Sequence, residues 1–498
     1  MSSERDSYKQ IFKTTSIFGG IQVFNILIVI LKSKIIAVLL GPAGLGIISI
    51  FNSTSALIAS GTNFGLNVSS VKSIALANQE EEKTQQSILI AVVKKLIWVT
   101  GLFGLLLTIV LSPWLSQISF GNNTYIFSFA LLGVSLLALH LSTGQIAILQ
   151  GLRQIKLIAF STLIGSIIGL LISVPLYYFL GTEGIVPAIV ASSMAAVISS
   201  WYFLGKAKIT HTNVDYQTVK REGKEIIRLG FLISFTSIFP ALAAYVVRLF
   251  ISNVGNLADV GLYSAGFAIV GTYVGMVFSA MSTDYYPSLS EVSKDNTKCT
   301  EKVNQQILVS ILILAPILIT LIVFVKLGII ILYSAKFLGT VQMIQWASLG
   351  VFFQSFSWCI AFIFLAKGES KVYFVNELIP NLYILLINCF SYYIWGLEGM
   401  GISYLIGYII YSVQVYLVAK KRYGFYFDSF ILKRCAVHLL LLILTFLIVY
   451  YFKPIIQYTA GSLIIAISVF FSINTLEKKT NFLKSFRNRV KKNKELKD

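Results

Sequence analysis

The sequence predicts an all-α polytopic membrane protein with about fourteen transmembrane helices. Its 498 residues are 56% hydrophobic and 12% charged, and the mean hydropathy is +0.80. A soluble domain of this length needs far more polar surface to cover its core. The apolar residues also form continuous blocks, and a spanning helix needs roughly 20 such residues. Continuous blocks exclude a β-barrel, whose strands alternate apolar and polar residues.

The apolar residues form fourteen predicted membrane segments, and an even number places both termini on one side of the membrane. Most Lys and Arg residues lie in the even-numbered connections, while odd-numbered ones such as 112–123 and 396–399 are nearly free of them. The positive-inside rule therefore predicts that both termini are cytoplasmic. It also explains the net charge of +19 without a nucleic-acid partner. The segments lie near 11–40, 44–68, 86–111, 124–149, 157–180, 184–205, 226–252, 258–283, 304–327, 341–366, 372–395, 399–419, 433–451 and 455–474.

An internal repeat with an offset of about 215 residues relates the two halves of the chain. The sequence YYFLGTEG at 177–184 ends segment five, and YYIWGLEG at 392–399 ends segment eleven. Six segments separate equivalent positions, so the halves have the same orientation and are parallel repeats. Further matches pair the Leu-Gly-Val triplets at 132–134 and 349–351, Gly151 with Gly368, and Lys34 before Gly41 with Arg248 before Gly255.

The repeat predicts two six-helix lobes and three smaller regions. The lobes cover residues 1–205 and 226–419, and a basic cytoplasmic linker, 206–225, joins them. An additional helix pair follows at 420–475, and a basic cytoplasmic tail occupies 476–498. Two such lobes normally enclose a central cavity and rock around it, so the repeat indicates transport.

Two cations at equivalent repeat positions are the first candidates for a binding site. Lys34 and Arg248 each lie seven residues before the turn glycine, roughly 10 Å deep at 1.5 Å per residue. Across a pseudo-two-fold axis they would repel unless an anion such as a diphosphate lies between them. Alternatively, both side chains snorkel to the outer interface. Lys32, on another helix face, is expected to snorkel.

Three further ionisable residues are candidates for ion coupling or gating. Asp284 is either a gate or proton carrier, or a residue that ends its helix before Pro287. Glu377 is either a proton or cation site, or the partner of Lys367 or Lys371 in a salt bridge. His140 titrates near neutral pH, although a single His on an apolar helix is usually hydrogen-bonded to a neighbour.

A polar stripe that includes Asn52 and Asn63 follows segment two. It either lines a path for sugar hydroxyls or holds membrane helices together. The four cysteines show no metal-ligand or paired spacing, and no cofactor or metal site is predicted.

Several motifs resemble Wzx-type O-antigen and polysaccharide flippases of the multidrug/oligosaccharidyl-lipid/polysaccharide (MOP) superfamily. The resemblance covers residues 8 to 420, and the segment from Ala366-Lys367-Gly368 to Glu377 also fits. The motifs are KIIAVLLGPAGLG at 34–46, GTNFG at 61–65, TDYYPSLS at 283–290, and Lys336-Phe337 followed by Gln345-Trp346.

The resemblance implies a V-shaped, two-lobed fold with a cationic central cavity in which Lys34 and Arg248 contact the substrate. It implies transfer of an undecaprenyl-diphosphate-linked oligosaccharide, such as the O-antigen unit of lipopolysaccharide, across the bacterial cytoplasmic membrane. Polysaccharide polymerase and glycosyltransferases are then expected partners, beside the membrane lipids. Many relatives have twelve helices, so the additional pair departs from the pattern, although lipid II flippases have fourteen.

Two other functions stay open at this point. A multidrug antiporter of the same superfamily relies on an acid buried in the first lobe, and this first lobe has none in its spans. A non-transporting scaffold for envelope polysaccharide assembly is the other. The internal repeat and short outward loops argue against a membrane enzyme.

Overall fold

The computed structural model describes residues 24–79, 83–207, 209 and 212–480, and nearly all of them are helical. A π-helical stretch, Ala268–Val274, joins α9 to α10, and a 3-10 turn, Ala335–Thr340, precedes α12. The helices are α1 (24–39), α2 (Gly41–Thr62), α3 (Leu66–Gln79), α4 (Lys83–Phe120), α5 (Ile126–Gly151), α6 (Ile155–Leu180), α7 (Ile185–Lys206), α8 (Tyr216–Val254), α9 (Leu257–Phe267), α10 (Gly275–Glu291), α11 (Asn296–Leu332), α12 (Val341–Ala366), α13 (Ser370–Tyr423), α14 (Ser429–Tyr451) and α15 (Pro454–Thr480).

The predicted all-helical membrane class is confirmed. Twelve helices in the described part of the chain are long and apolar enough to cross a membrane. One of them, Lys371–Tyr423, contains two predicted segments, because α13 is broken at Gly396. The first predicted segment starts outside the described residues. The total of fourteen therefore stays a prediction.

By their contacts the described residues form two compact units. The first comprises the residues up to Leu262 together with Leu332–Lys336, and the second comprises Tyr263–Ile331 and the residues from Phe337 onward. Helix α8 packs against α2, α3 and α4 and so belongs to the first unit. The sequence placed this helix at the start of the lobe 226–419, and that lobe division stays a prediction.

The repeat is visible in the backbone of the two turns that end its matching segments. Gly181 has φ 57° and ψ −129°, and Gly396 has φ 57° and ψ −137°. This region is essentially restricted to glycine, because any Cβ would clash with the backbone. Gly184 and Gly399 complete the match, since each packs directly on a carbonyl oxygen eight residues earlier, that of Leu176 or Ser391. The two halves therefore build the same turn.

A second pair of turns corrects the alignment of the repeat. The amides of Leu152, Arg153 and Gln154 bond to Ile148, Gln150 and Leu149, and those of Lys367, Gly368 and Glu369 bond to the equivalent carbonyls. Arg153 has φ 57° and Gly368 has φ 71°. The structural partner of Gly368 is thus Arg153 and not Gly151, because the left-handed residue of the turn fixes the register.

Large apolar side chains fill the interior of each unit. In the first unit one cluster surrounds Phe51 and Phe129, and a second surrounds Ile74 and Ile148. In the second unit α11 contributes to the interior, with no exposed surface at Leu314, Leu318 and Ile322. Helix α15 continues to Thr480, the residues after 480 lie outside the described part, and the basic tail at 476–498 stays a prediction.

Candidate functional site

Arg248 lies on α8 of the first unit and contacts α2. Its Nε atom donates a 2.7 Å hydrogen bond to Ser49 Oγ, and Nη1 donates a 2.8 Å bond to the Ala244 carbonyl. The side chain is half-buried. A guanidinium has five N–H donors, and these two bonds fix the plane in which the others point. The arrangement is suited to a bidentate contact with a phosphate.

Contacts with α4 hold α8 in place on either side of Arg248. The hydroxyls of Tyr245 and Ser119 share a 3.1 Å hydrogen bond, three residues before Arg248. Ser252 Oγ donates to the Ser119 carbonyl at 3.2 Å, and Asn253 donates to the Ile118 carbonyl. Because both flanking turns of α8 are anchored, the guanidinium keeps its position relative to α2.

Lys34 lies on α1, half-buried, in a groove between α1 and α6. The groove has a volume of about 460 Å³, and its other lining residues on α6 are Val174, Pro175, Tyr178 and Phe179. A lysine surrounded by apolar and aromatic side chains can place its ammonium group beside a lipid phosphate. The predicted arrangement of Lys34 and Arg248 across one cavity stays a prediction.

Lys32 does not extend to the interface as the sequence indicated. Its ammonium group donates a 3.3 Å hydrogen bond to Ser192 Oγ on α7, and Ser192 shares a 2.8 Å bond with Ser173 on α6. Gly169 lets α6 approach Ser192 closely, so the lysine turns inward toward hydroxyl groups. The sequence named Lys32 but not this contact, because Ser192 lies 160 residues away along the chain.

The polar stripe of segment two is only partly available to a ligand. The hydroxyls of Ser53, Ser60 and Thr62 donate to carbonyls of their own helix, as is common for Ser and Thr inside helices. Asn52 is exposed on α2, whereas Asn63 is half-buried in the break between α2 and α3. Asn52 and Asn63 therefore remain the stripe's candidates for a sugar path.

Glu377 lies on the first arm of α13 and bonds to the second. The Tyr411 hydroxyl donates a 2.7 Å hydrogen bond to Glu377 Oε1. Lys367, one of the two partners expected for Glu377, instead donates to the Ser293 carbonyl and to Asn296 Oδ1. The salt bridge to Lys367 is therefore wrong, because that ammonium group points to the turn before α11.

A polar cavity of about 370 Å³ in the second unit contains Glu377. Gln354 on α12 donates to the Tyr408 hydroxyl at 3.2 Å and accepts from the Tyr404 hydroxyl at 3.0 Å. Tyr373, Tyr408 and Tyr411 line the cavity together with Glu377 and Gln354. A carboxylate among phenol and amide groups can exchange a proton or hold a cation.

His140 is buried on α5 and contacts α2. Its Nε2 atom shares a 3.2 Å hydrogen bond with Thr62 Oγ1, which also lies 2.8 Å from the Ile58 carbonyl oxygen. His140 Nδ1 has no hydrogen-bond partner among the described residues. A proton added at Nδ1 would lack an acceptor in this state. The coupling roles of His140 and Glu377 stay predictions.

Asp284 is exposed on α10 and does not end its helix. Helix α10 continues through Pro287 to Glu291, because a proline inside a membrane helix is tolerated where neighbouring groups compensate. The adjacent Tyr285 is buried and donates a 2.7 Å hydrogen bond to the Cys359 carbonyl on α12. The helix-ending interpretation is wrong, and a gating or coupling role of Asp284 stays a prediction.

Acidic residues are absent from most helices of the first unit. No Asp or Glu occurs between Ser7 and Gln79 or between Lys83 and Thr182, which covers α1 to α6. Lys32 and Lys34 lie on α1 of this unit, and Arg248 lies on α8. Within the described ranges no group of three or more His, Cys, Asp or Glu residues could hold a metal ion.

Comparison with known proteins shows the family of this chain. A family profile described as polysaccharide biosynthesis protein matches residues 35–342, more than half of the chain. The chain belongs to this family. The matched range includes Arg248, Asn52, Asn63, His140 and Asp284, and it starts one residue after Lys34.

Relatives of this polysaccharide biosynthesis protein are flippases and transporters. The lipid III flippase of Escherichia coli (strain K12) is 20% identical over 402 residues, which cover 79% of this chain and 95% of the relative. The solved structure of the lipid II flippase MurJ in an inward closed conformation has a TM-score of 0.67 at 14% identity, and the match covers 93% of this chain and 99% of that one.

A multidrug resistance MATE family transporter of the MOP superfamily, in an inward-facing conformation, also has a TM-score of 0.67. It is 15% identical, and the match covers 80% of this chain and 94% of that chain. The chain thus shares the fold of these two solved transporters, as the sequence predicts.

Proposed function

We propose that this protein is a flippase that moves an undecaprenyl-diphosphate-linked oligosaccharide from the cytoplasmic to the outer leaflet. The glycan is the O-antigen repeat unit or that of another polysaccharide. Membership of the polysaccharide biosynthesis protein family and the similarity to a lipid III flippase support this proposal. The coupled enzymes, a polysaccharide polymerase and glycosyltransferases, are proposed partners.

The observation that carries the proposal is a cationic first unit without acids in most of its spans. Arg248 is oriented by Ser49 and the Ala244 carbonyl, and Lys34 borders an apolar groove. A diphosphate carries two or more negative charges, which a guanidinium binds through paired hydrogen bonds and an ammonium group attracts as a point charge. A cationic drug gains nothing from these groups.

The proposed mechanism is alternating access in the cytoplasmic membrane, with both termini on the cytoplasmic side. The diphosphate and sugars pass through the cavity between the two predicted lobes, and the polyprenyl chain stays in lipid. Asn52 and Asn63 offer amide groups to sugar hydroxyls. Transport is coupled to an ion through Glu377, whose carboxylate lies in a polar cavity beside Tyr411.

Flipping in reconstituted liposomes tests the proposal. The substrate is undecaprenyl-diphosphate oligosaccharide, and a glycan probe confined to one side reports its leaflet. We expect protein-dependent loss of leaflet asymmetry that the Lys34→Ala/Arg248→Ala variant abolishes. The matched control is Lys326→Ala/Arg221→Ala, which removes one exposed lysine and one exposed arginine elsewhere and should flip normally.

Two outcomes would contradict the proposal. Efflux of a cationic dye driven by a pH gradient, without lipid flipping, would identify a multidrug antiporter. Absence of both activities, with several diphosphate-linked glycans supplied, would favour a scaffold. Flipping that the Lys34/Arg248 variant retains would keep the function and remove the assigned site.

A further inference from the structure

A cavity between α4, α5 and α7 of the first unit has no part in the proposed transport. Its volume is about 690 Å³. Apolar side chains, among them Ile97, Leu141 and Leu204, form part of its wall, and Lys94 and Lys206 contribute ammonium groups. Gln145 adds an amide, whose oxygen accepts a hydrogen bond from Ser200. The cavity thus combines an apolar wall with two cations.

The two lysines face no acidic residue within the cavity. Among the described residues that line it there is no Asp or Glu. Lys206 is the last residue of α7, and its Nζ atom lies 4.4 Å from the centre of the Tyr202 ring. A cation–π contact orients an ammonium group but does not neutralise it. The pair therefore attracts an anion.

Aromatic side chains place this cavity at the membrane surface. Trp98 is 52% exposed, Trp201 is 68% exposed, and Tyr202 is 55% exposed, although all three lie on apolar helices. Exposed Trp and Tyr are typical of the bilayer interface. Lys95, beside Lys94, donates a 2.8 Å hydrogen bond to the Val214 carbonyl in the linker 206–225. The cavity thus lies at the end of the unit where the basic linker begins.

From this combination we propose that the cavity binds an anionic phospholipid of the inner leaflet. The phosphate lies between Lys94 and Lys206, and an acyl chain extends along the apolar wall beside Trp98. Basic pockets between helices on the cytoplasmic side recognise anionic headgroups in this way. The occupant is a resident lipid and not the transported substrate, and this assignment does not depend on the proposed flippase activity.

Native mass spectrometry of the detergent-solubilised protein tests the assignment. The probes are phosphatidylglycerol and phosphatidylcholine with identical acyl chains. We expect Lys94→Gln/Lys206→Gln to weaken phosphatidylglycerol binding about tenfold or more, since each lysine near a membrane surface contributes about fivefold. Phosphatidylcholine binding should not change. Lys302→Gln/Lys326→Gln, which changes two exposed lysines elsewhere, is the matched control.

A charge-preserving variant and a competitor complete the experiment. Lys94→Arg/Lys206→Arg keeps both positive charges and should retain phosphatidylglycerol binding. It thereby shows whether substitution at these two positions disturbs the fold. Equal binding of phosphatidylglycerol by the glutamine variant and the native protein would overturn the proposal. So would displacement of phosphatidylglycerol by an equimolar amount of undecaprenyl diphosphate in the Lys34→Ala/Arg248→Ala background, because the cavity would then serve the transported lipid.

Discussion

The Tyr411 hydroxyl donates a 2.7 Å hydrogen bond to the carboxylate of Glu377, and this bond joins the two arms of α13. Further bonds join the same arms: Gln414 donates to Asn376 Oδ1 at 3.0 Å, and Ser403 donates to Asn388 Oδ1. As the residue number rises on one arm, the number of its partner falls on the other. The arms are therefore antiparallel, and Glu377 is held within a helical hairpin.

Replacement of Glu377 by glutamine should remove the pH dependence of transport. Glutamine keeps the size of the side chain and can still accept the Tyr411 hydrogen bond, but it cannot release a proton. We expect flipping at pH 7 to fall about tenfold or more and to respond little to an imposed pH gradient. Liposome flipping at several internal and external pH values measures this. A variant with the native rate and native pH profile would remove Glu377 from the coupling.

Substitution of Arg248 should weaken binding of the diphosphate lipid. We expect Arg248→Ala to lower affinity about 10-fold to 100-fold, since a charged hydrogen bond contributes about 1.5–3 kcal/mol. Arg248→Lys should recover only part of the loss, because lysine lacks the bidentate fork. Ser49→Ala should reduce affinity by only a few-fold, because it removes the bond that orients the guanidinium and keeps the charge. Titration with undecaprenyl diphosphate measures the series, and native affinity in Arg248→Ala would contradict the assigned role.

The repeated glycine turns should respond alike to a side chain. Alanine at Gly181 or Gly396 must adopt a conformation that costs about 1–3 kcal/mol, so both variants should unfold at lower temperature. Gly328→Ala is the control, since this helical glycine has open space around it and alanine favours helix by up to about 1 kcal/mol. Thermal unfolding in detergent measures all three. Opposite effects at Gly181 and Gly396 would contradict the equivalence of the two turns.

Substitutions at Arg153 and Gly368 should change the stability of the protein differently. Both residues are left-handed, with φ 57° and φ 71°, and only glycine adopts this conformation without strain. Gly368→Ala should destabilise by about 1 kcal/mol. Arg153→Gly should be neutral or slightly stabilising, because relief of strain offsets the greater entropy of glycine in the unfolded chain. The same melting experiment measures both, and strong destabilisation by Arg153→Gly would show that the arginine side chain contributes contacts.

Asp215 should protect the first turn of α8 in a pH-dependent manner. Donors of Thr218 and the Gln217 amide hold the pKa of the Asp215 carboxyl below its usual value of 3.8. A lowered pKa in the folded state means that the stabilisation is present above pH 3.8 and is lost as the pH falls through the lowered pKa. Amide exchange of Gln217 and Thr218 should therefore accelerate in Asp215→Ala at pH 7. Unchanged exchange would show that the cap does not limit opening there.

Features that depend on local sequence could be predicted. Long apolar runs specify membrane helices because lipid offers no partner for an unpaired backbone group. The two YY..G.EG motifs predicted equivalent turns, and Gly181 and Gly396 have the same backbone angles. The predicted pairing of Gly151 with Gly368 was wrong. The left-handed residue of the first turn is Arg153, and an arginine does not mark such a turn in the sequence as a glycine does.

Features that depend on neighbouring helices could not be predicted. The Lys32 ammonium group donates a hydrogen bond to Ser192 on α7, which lies 160 residues away in sequence. The partner of Glu377 is a tyrosine on the opposite arm, whereas proximity in sequence favoured Lys367. Helix α8 packs on α2, and these contacts place Arg248 in the first unit. The hydrophobic pattern of the sequence does not show which helices pack together.

The absence of acids from most spans of the first unit has an electrical consequence. Lys32 and Lys34 lie on α1 and Arg248 lies on α8, whereas the sequence from Lys83 to Thr182, which contains α4, α5 and α6, has no Asp or Glu. Moving one elementary charge through the full membrane potential changes its energy by about 2.3 kcal/mol per 100 mV. A rearrangement that carries these cations through part of the field does work against the voltage itself. In the proposed alternating-access cycle, the resting potential of the cell would therefore weight the conformations of this unit directly, even before a substrate or coupling ion binds.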